Sequence, residues 1–192
     1  LMTCSMKMKL KQITWVLKLN THERLKLDWY LNRDKNILIQ KKYLIKQIQK
    51  KEIPELNGRL EYLRIEDLFE LAIAVINDKL TIVLGEGRDF DDDTDAKFTT
   101  VREHGGQYDA NVNKENKIGD LRVLVYEPKS EKFYFFVVPF DIHETVQREF
   151  EIPFNFDGTP KRSSRKGMNK YWNCEVDTFE ELCSKVVSNK FF

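Results

Sequence analysis

GEGRDFDDDTDAKFTTVRE, residues Gly85 to Glu103, places five aspartates in the seven positions from Asp89 to Asp95 and then passes into a lysine and a β-branched run. Carboxylates a few Å apart repel one another, and more strongly as water is withdrawn. Such a run is tolerated as a solvated acidic turn between strands, where aspartates commonly sit. It is also tolerated where a cation occupies it. The second half of the stretch, Asp95 to Glu103, alternates in the manner of a strand. Residues two apart on a strand share a face and are separated by about 6.6 Å. Asp95 and Lys97 are therefore expected to project together, with Ala96 and Phe98 facing the opposite layer.

The elements on either side set this strand in an α+β context. RIEDLFELAIAVINDK reads as a helix whose apolar face is Leu68, Leu71, Ile73 (or Ala72), Val75 and Ile76, ending at Asn77-Asp78. KNILIQKKYLIKQIQKK has helical spacing with lysines between its apolar positions, and EIPELNGRL, with a proline and a glycine, connects the two. After Lys79 the period shortens. LTIVLGEG (Leu80 to Gly87) reads as a strand, and DLRVLVYE with KFYFFVVPF reads as a hairpin turning at PKSE. EHGGQYDANVNKENKIG reads as a long polar loop. A basic loop then leads to a short helix with Thr178 as N-cap and Glu181 at its third position. The fold class expected is α/β (α+β), a central mixed sheet flanked by helices.

Composition narrows the class further. The 192 residues carry a net charge of +1, with 41% apolar and 33% charged residues, as expected of a water-soluble chain with one full core. No apolar run approaches the ~20 residues of a membrane span, and no signal-peptide core is present, so a cytoplasmic protein without membrane contact is expected. Three well-separated cysteines suggest neither a disulfide framework nor a zinc site. Charge is unevenly spread. Thirteen of the 32 basic residues and three of the 31 acids fall between Lys7 and Lys51, leaving residues 52–192 with nineteen basic and twenty-eight acidic groups, a balance of −9. A basic helical region over 1–55 and an acidic core over 56–192, as two domains or one, follow from this. The basic region suits either nucleic-acid contact or a solvated lysine-rich helix face.

Two metal chemistries fit an aspartate run. Calcium loops of the EF-hand type need glycine at the sixth position and a bidentate glutamate at the twelfth. Counted from Asp89 these are Thr94 and Thr100, which excludes that loop. Mg²⁺-dependent phosphodiester cleavage instead needs two carboxylates to hold a hard cation and a lysine to orient or deprotonate water. Asp95, Lys97 and a second acid from the preceding turn have that make-up. The histidines have no second ligand at metal spacing, and GEGRDF lacks the helix that a phosphate-binding glycine loop requires.

Asp95-Ala96-Lys97, preceded by acids and by a glutamate-bearing helix, resembles the PD-(D/E)XK nuclease superfamily as found in type II restriction endonucleases. The likeness runs from about Tyr62 to Pro139. It implies that Asp95 is a metal ligand, that Lys97 is the catalytic lysine, and that Glu66 or Glu70 supports the site from the helix. The first acid is Asp89, Asp91 or Glu86. A second register makes Asp95 the first acid and looks to Asp120-Leu121-Arg122 or Glu127-Pro128-Lys129 for the rest. The resemblance implies Mg²⁺ as cofactor, double-stranded DNA as substrate, and a homodimer where both strands of a symmetric site are cut. Lys161, Arg162, Arg165 and Lys166, with Arg102 and His104, are the candidate DNA contacts, since Arg and Lys neutralise phosphates. A non-catalytic nucleic-acid-binding or interaction protein with a structural acidic turn is the alternative.

Overall fold

The computed structural model describes residues 35–53, 56, 58–83, 88–115, 117, 119–146, 148–164 and 167–185, without the side chains of 164, 167 and 168. The chain forms two compact units, Leu1–Ile82 and Val83–Phe192. The basic-to-acidic change near residue 55 lies within the first.

In the first unit, α1 (Lys35–Gln49) packs against α2 (Ile65–Ile76). Helix α1 buries Leu44 and Ile48 beside Gln40, Lys41 and Gln47, and Lys41 Nζ donates to the Glu61 carbonyl at 3.0 Å. Burying a lysine stem while its ammonium reaches a carbonyl keeps the charge satisfied. Helix α2 buries Leu68, Phe69 and the run Leu71 to Ala74, whereas Val75 and Ile76 are half-buried. The fully buried face thus stops two residues earlier than the pattern suggests. At Asn77 the chain leaves the helix, and the Asn77 side chain accepts from Lys79 N at 3.2 Å.

The second unit is built from two sheets. The first is mixed, in the order β1 (Asp95–Thr100), β4 (Leu121–Glu127), β5 (Lys132–Val138), β7 (Glu175–Val176). Strand β1 runs parallel to β4, with Asp95 opposite Leu121, and β4 and β5 form the expected hairpin, Glu127 opposite Lys132. The second sheet is antiparallel, in the order β2 (Arg102–His104), β3 (Gln107–Asn113), β6 (Glu149–Pro153). Its buried residues, including Tyr108, Ala110, Val112, Phe150 and Ile152, share one core with Leu121, Val123, Val125, Phe136 and Val138 of the first sheet. Trp172 closes this core, with Phe136, Phe154 and Tyr134 rings at 5.1, 5.2 and 5.7 Å, and its indole donates to Pro153 O at 3.0 Å. α3 (Phe140–His143) follows β5, and α4 (Phe179–Ser184) places Phe179 against Phe135 of β5. The α+β class with a mixed sheet is therefore the architecture observed.

One strand joins both sheets. β1 and β2 are separated only by Val101, which still donates to Tyr126 O at 2.9 Å before the chain turns into the second sheet. Parallel neighbours cannot be joined by a tight turn. Here the crossover from β1 to β4 is the β2–β3 hairpin rather than a helix.

Two sequence expectations are corrected. Residues 103–119 are not one polar loop, because Gly105 and Gly106, both at positive φ, turn β2 directly into β3. Two consecutive residues of positive φ give the turn that matches strand twist. Tyr108, Ala110 and Val112 provide a period-two apolar face that the intervening Asp and Asn residues obscure. The strand expected over Leu80 to Gly87 does not form in its described part, 80–83, where Ile82 makes a single bridge; residues 84–87 lie outside the described residues. The short C-terminal helix is capped as expected, with Thr178 Oγ1 accepting from Glu181 N at 3.0 Å.

Gly119 has no room for a side chain, because a Cβ there would lie 1.8 Å from the Asp93 carbonyl. Gly119→Ala should lower the unfolding free energy by about 1–3 kcal/mol, the usual cost of overpacking. An unchanged denaturant midpoint would show that the loops before β1 and β4 are not pressed together.

Candidate active site

The aspartate run divides into acids that build a loop and acids that are gathered at the start of β1. Asp92 belongs to the first group. Its Oδ1 accepts from Thr94 N at 3.2 Å and Thr94 Oγ1 at 2.6 Å, and its Oδ2 meets Arg122 at 2.9 Å. Arg122 projects from β4, is buried, also bonds the Thr94 hydroxyl, and lies 5.7 Å over the Phe90 ring. Asp93 takes a left-handed backbone (φ 62°) and pairs with Arg88 at the surface. Asp91 is exposed on the same loop. Asp89 N and Phe90 N both donate to Thr94 O at 3.1 Å, which closes the turn.

Asp89 and Asp95 form the second group. Asp89 Oδ2 accepts from Ala96 N at 2.8 Å, so its carboxylate is held against the first residues of β1. Asp95 N donates to Asp120 O at 3.0 Å, which fixes β1 on β4. The Asp95 side chain has no solvent exposure, and Lys97, two residues on, brings its Nζ to 3.9 Å from Asp95 Oδ1. The two side chains share one face of the strand, as the alternation implies. Nearer still is Lys117 Nζ, 2.5 Å from the same oxygen. Beyond the Lys117 and Lys97 ammonium groups, neither Asp95 oxygen has a hydrogen-bond partner among the described residues.

The electrostatics follow from burial. Withdrawal from water raises the Asp95 pKa from 3.8 to about 7, against the bond and charge of Lys117; the Asp89 charge raises it further. Burial also lowers Lys97, assisted by the charge of Lys117 and opposed by Asp89 and Asp95. Lys117 is raised, because its bond to Asp95 and the two carboxylate charges outweigh its own burial. Four ionisable groups, two of each sign, thus share a site with little water.

Lys117 was not legible in the sequence. It lies twenty residues beyond Lys97 in a lysine- and asparagine-rich loop. Pairing supplies the reason for its position. Because Asp95 aligns in parallel with Leu121, the residues entering β4 lie beside those entering β1.

The other candidates sit on other elements or outside the described residues. Glu66 is exposed and Glu70 half-buried on α2 of the first unit. Glu86, Arg165 and Lys166 lie outside the described residues. In the second register Asp120 is committed, since its Oδ1 accepts from Phe140 N at 2.8 Å, and Arg122 serves Asp92. Glu127 is buried and accepts from Tyr108 OH, Lys129 N and the backbone and hydroxyl of Ser130, so it closes the β4–β5 turn. Arg162 pairs with Glu175 and lies 4.8 Å over Trp172. Lys161, Arg102 and His104 are exposed. His143 is wholly buried, with its Nε2 3.0 Å from Gly119 O. Among the described residues no three His, Cys, Asp or Glu side chains gather as a ready metal cage, and no helix is long and apolar enough to cross a membrane.

No protein-family model matches the chain, and neither a curated protein nor a solved structure matches it.

The raised pKa of Asp95 has a direct consequence for stability. Relative to the unfolded chain, this carboxyl favours folding in its protonated form. That contribution is complete below pH 3.8 and is lost as pH rises through about 7. The stability difference between Asp95→Asn and the native sequence should move in favour of the variant between about pH 4 and pH 8. A difference independent of pH, read from urea unfolding, would show an ordinary carboxyl.

Proposed function

We propose that this protein is a Mg²⁺-dependent endodeoxyribonuclease of the restriction type. The observation that carries the reading is the juxtaposition of Asp95, Asp89 and Lys97 at the head of β1. A buried carboxylate with an unsatisfied oxygen, beside a second carboxylate that repels it, gains from a hard divalent cation. Asp95 and Asp89 would supply the oxygen ligands. When bound, Mg²⁺ polarises the phosphate and lowers the pKa of water. Lys97 then acts from the same strand face. Its pKa is depressed by burial, which makes it a better proton acceptor for the attacking water than an exposed lysine. Attack in line on phosphorus would leave 5′-phosphate and 3′-hydroxyl ends, in keeping with the PD-(D/E)XK resemblance. Lys161, Arg102 and His104, all exposed, are the described groups available to duplex phosphates. Cutting both strands of a symmetric site calls for a homodimer.

A second reading has its own observation. Three of the five acids of the run already meet a cation of this chain: Asp92 with Arg122, Asp93 with Arg88, and Asp95 with Lys117. That self-neutralisation suits a non-catalytic nucleic-acid-binding or interaction protein.

Incubation with long, varied duplex DNA in Mg²⁺ and in EDTA separates the two. The nuclease reading expects discrete fragments only with Mg²⁺, and a loss of at least about 10²-fold in rate for Lys97→Ala with unchanged circular dichroism. Binding without cleavage in either condition would select the second reading, and full cleavage by Lys97→Ala would overturn the role of Lys97.

A further inference from the structure

We propose that Lys117 is a resident counter-cation that competes with the divalent metal for Asp95 and, once displaced, holds the phosphate to be cut. The proposal rests on the nuclease reading for its metal and substrate, but it stands on independent geometry. Lys117 Nζ lies 2.5 Å from Asp95 Oδ1, while Lys97, the lysine of the motif, lies at 3.9 Å. Asp95 has no exposure, whereas the Lys117 and Lys97 side chains retain 16% and 24%. The two lysine side chains therefore reach solvent where the Asp95 carboxylate does not.

Charge accounting leads to the same conclusion. With both carboxyls ionised, Asp89 and Asp95 contribute two negative charges against the two positive ones of Lys97 and Lys117, so the cluster is balanced without metal. Adding a dication would leave an excess of two positive charges in a poorly hydrated site, unless an ammonium withdraws or an anion arrives. Lys117 is suited to withdraw. Its charge sits on a flexible four-carbon stem, while the backbone beneath is anchored. Lys117 N donates to Lys114 O at 3.0 Å, Lys114 N to Arg148 O at 2.8 Å, and Gly119 is wedged between the Asp93 carbonyl and His143. A phosphate brings the negative charge that restores balance, and the freed ammonium is positioned at the rim to meet it.

Mg²⁺ titration calorimetry on the full chain without DNA tests this. Lys117→Met keeps the stem and removes the charge, so Mg²⁺ should bind at least about tenfold more tightly than to the native sequence. Lys117→Arg keeps a competing charge and should stay near the native affinity; it also serves where the Met variant fails to fold. Lys117→Met should in addition raise KM for DNA more than it changes kcat. Equal or weaker Mg²⁺ binding by Lys117→Met, or no Mg²⁺ binding by any of the three proteins, would overturn the proposal. The nuclease reading fails separately, if native protein binds Mg²⁺ yet cuts no duplex.

Discussion

An ionised carboxylate taken out of water costs several kcal/mol unless cations or hydrogen-bond donors meet it, and the second unit is arranged around one such group. Asp95 begins β1, has no exposure, and has only ammonium groups for partners among the described residues. Each neighbouring feature bears on that burial. The Thr94 turn brings Asp89 against Ala96 N. The parallel pairing of β1 with β4 brings the 114–120 loop to the same end of the sheet, and with it Lys117. Without those ammonium groups the carboxylate would be neutral over a wide range of pH. With them it titrates near 7, where a small change in its surroundings decides its charge.

The sheet topology is what makes this meeting of loops available. A strand that passes from one sheet to the other at Val101 lets two layers share one core without a covering helix on that side. It also means that the chain leaves the sheet at the far end of β1 and returns to its near end within twenty residues. The return segment must be short and closely packed, and Gly119 against Asp93 O is the mark of that packing.

Much of this arrangement could be read from residues alone, and the remainder fails for identifiable reasons. Strand β1 and its shared Asp95–Lys97 face follow from period two. The hairpin of β4 and β5, the helix α2 and the Thr178 cap follow from equally local signals. Strand β3 escapes notice because Asp109, Asn111 and Asn113 sit between its apolar residues and their composition resembles a loop. Arg122 looks like a surface residue in an apolar strand, yet it is buried because Asp92 and Thr94 meet it from another loop. Lys117 depends on strand register, which no local pattern encodes. Local order is legible; partnerships between distant loops are not.

The crowding of aspartates, finally, is a division of labour rather than a single site. Asp92 and Asp93 spend their charge on Arg122, Arg88 and the Thr94 turn, and so tie the loop to its neighbours. Those ties, with the bond from Ala96 N, hold Asp89 near Asp95 despite their repulsion. Groups forced into such proximity lower the stability of the fold and raise its affinity for whatever relieves the strain, the usual exchange between stability and function. Lysines relieve it internally here. On the proposed nuclease reading, a dication together with the phosphate that balances it is the ligand that does so better.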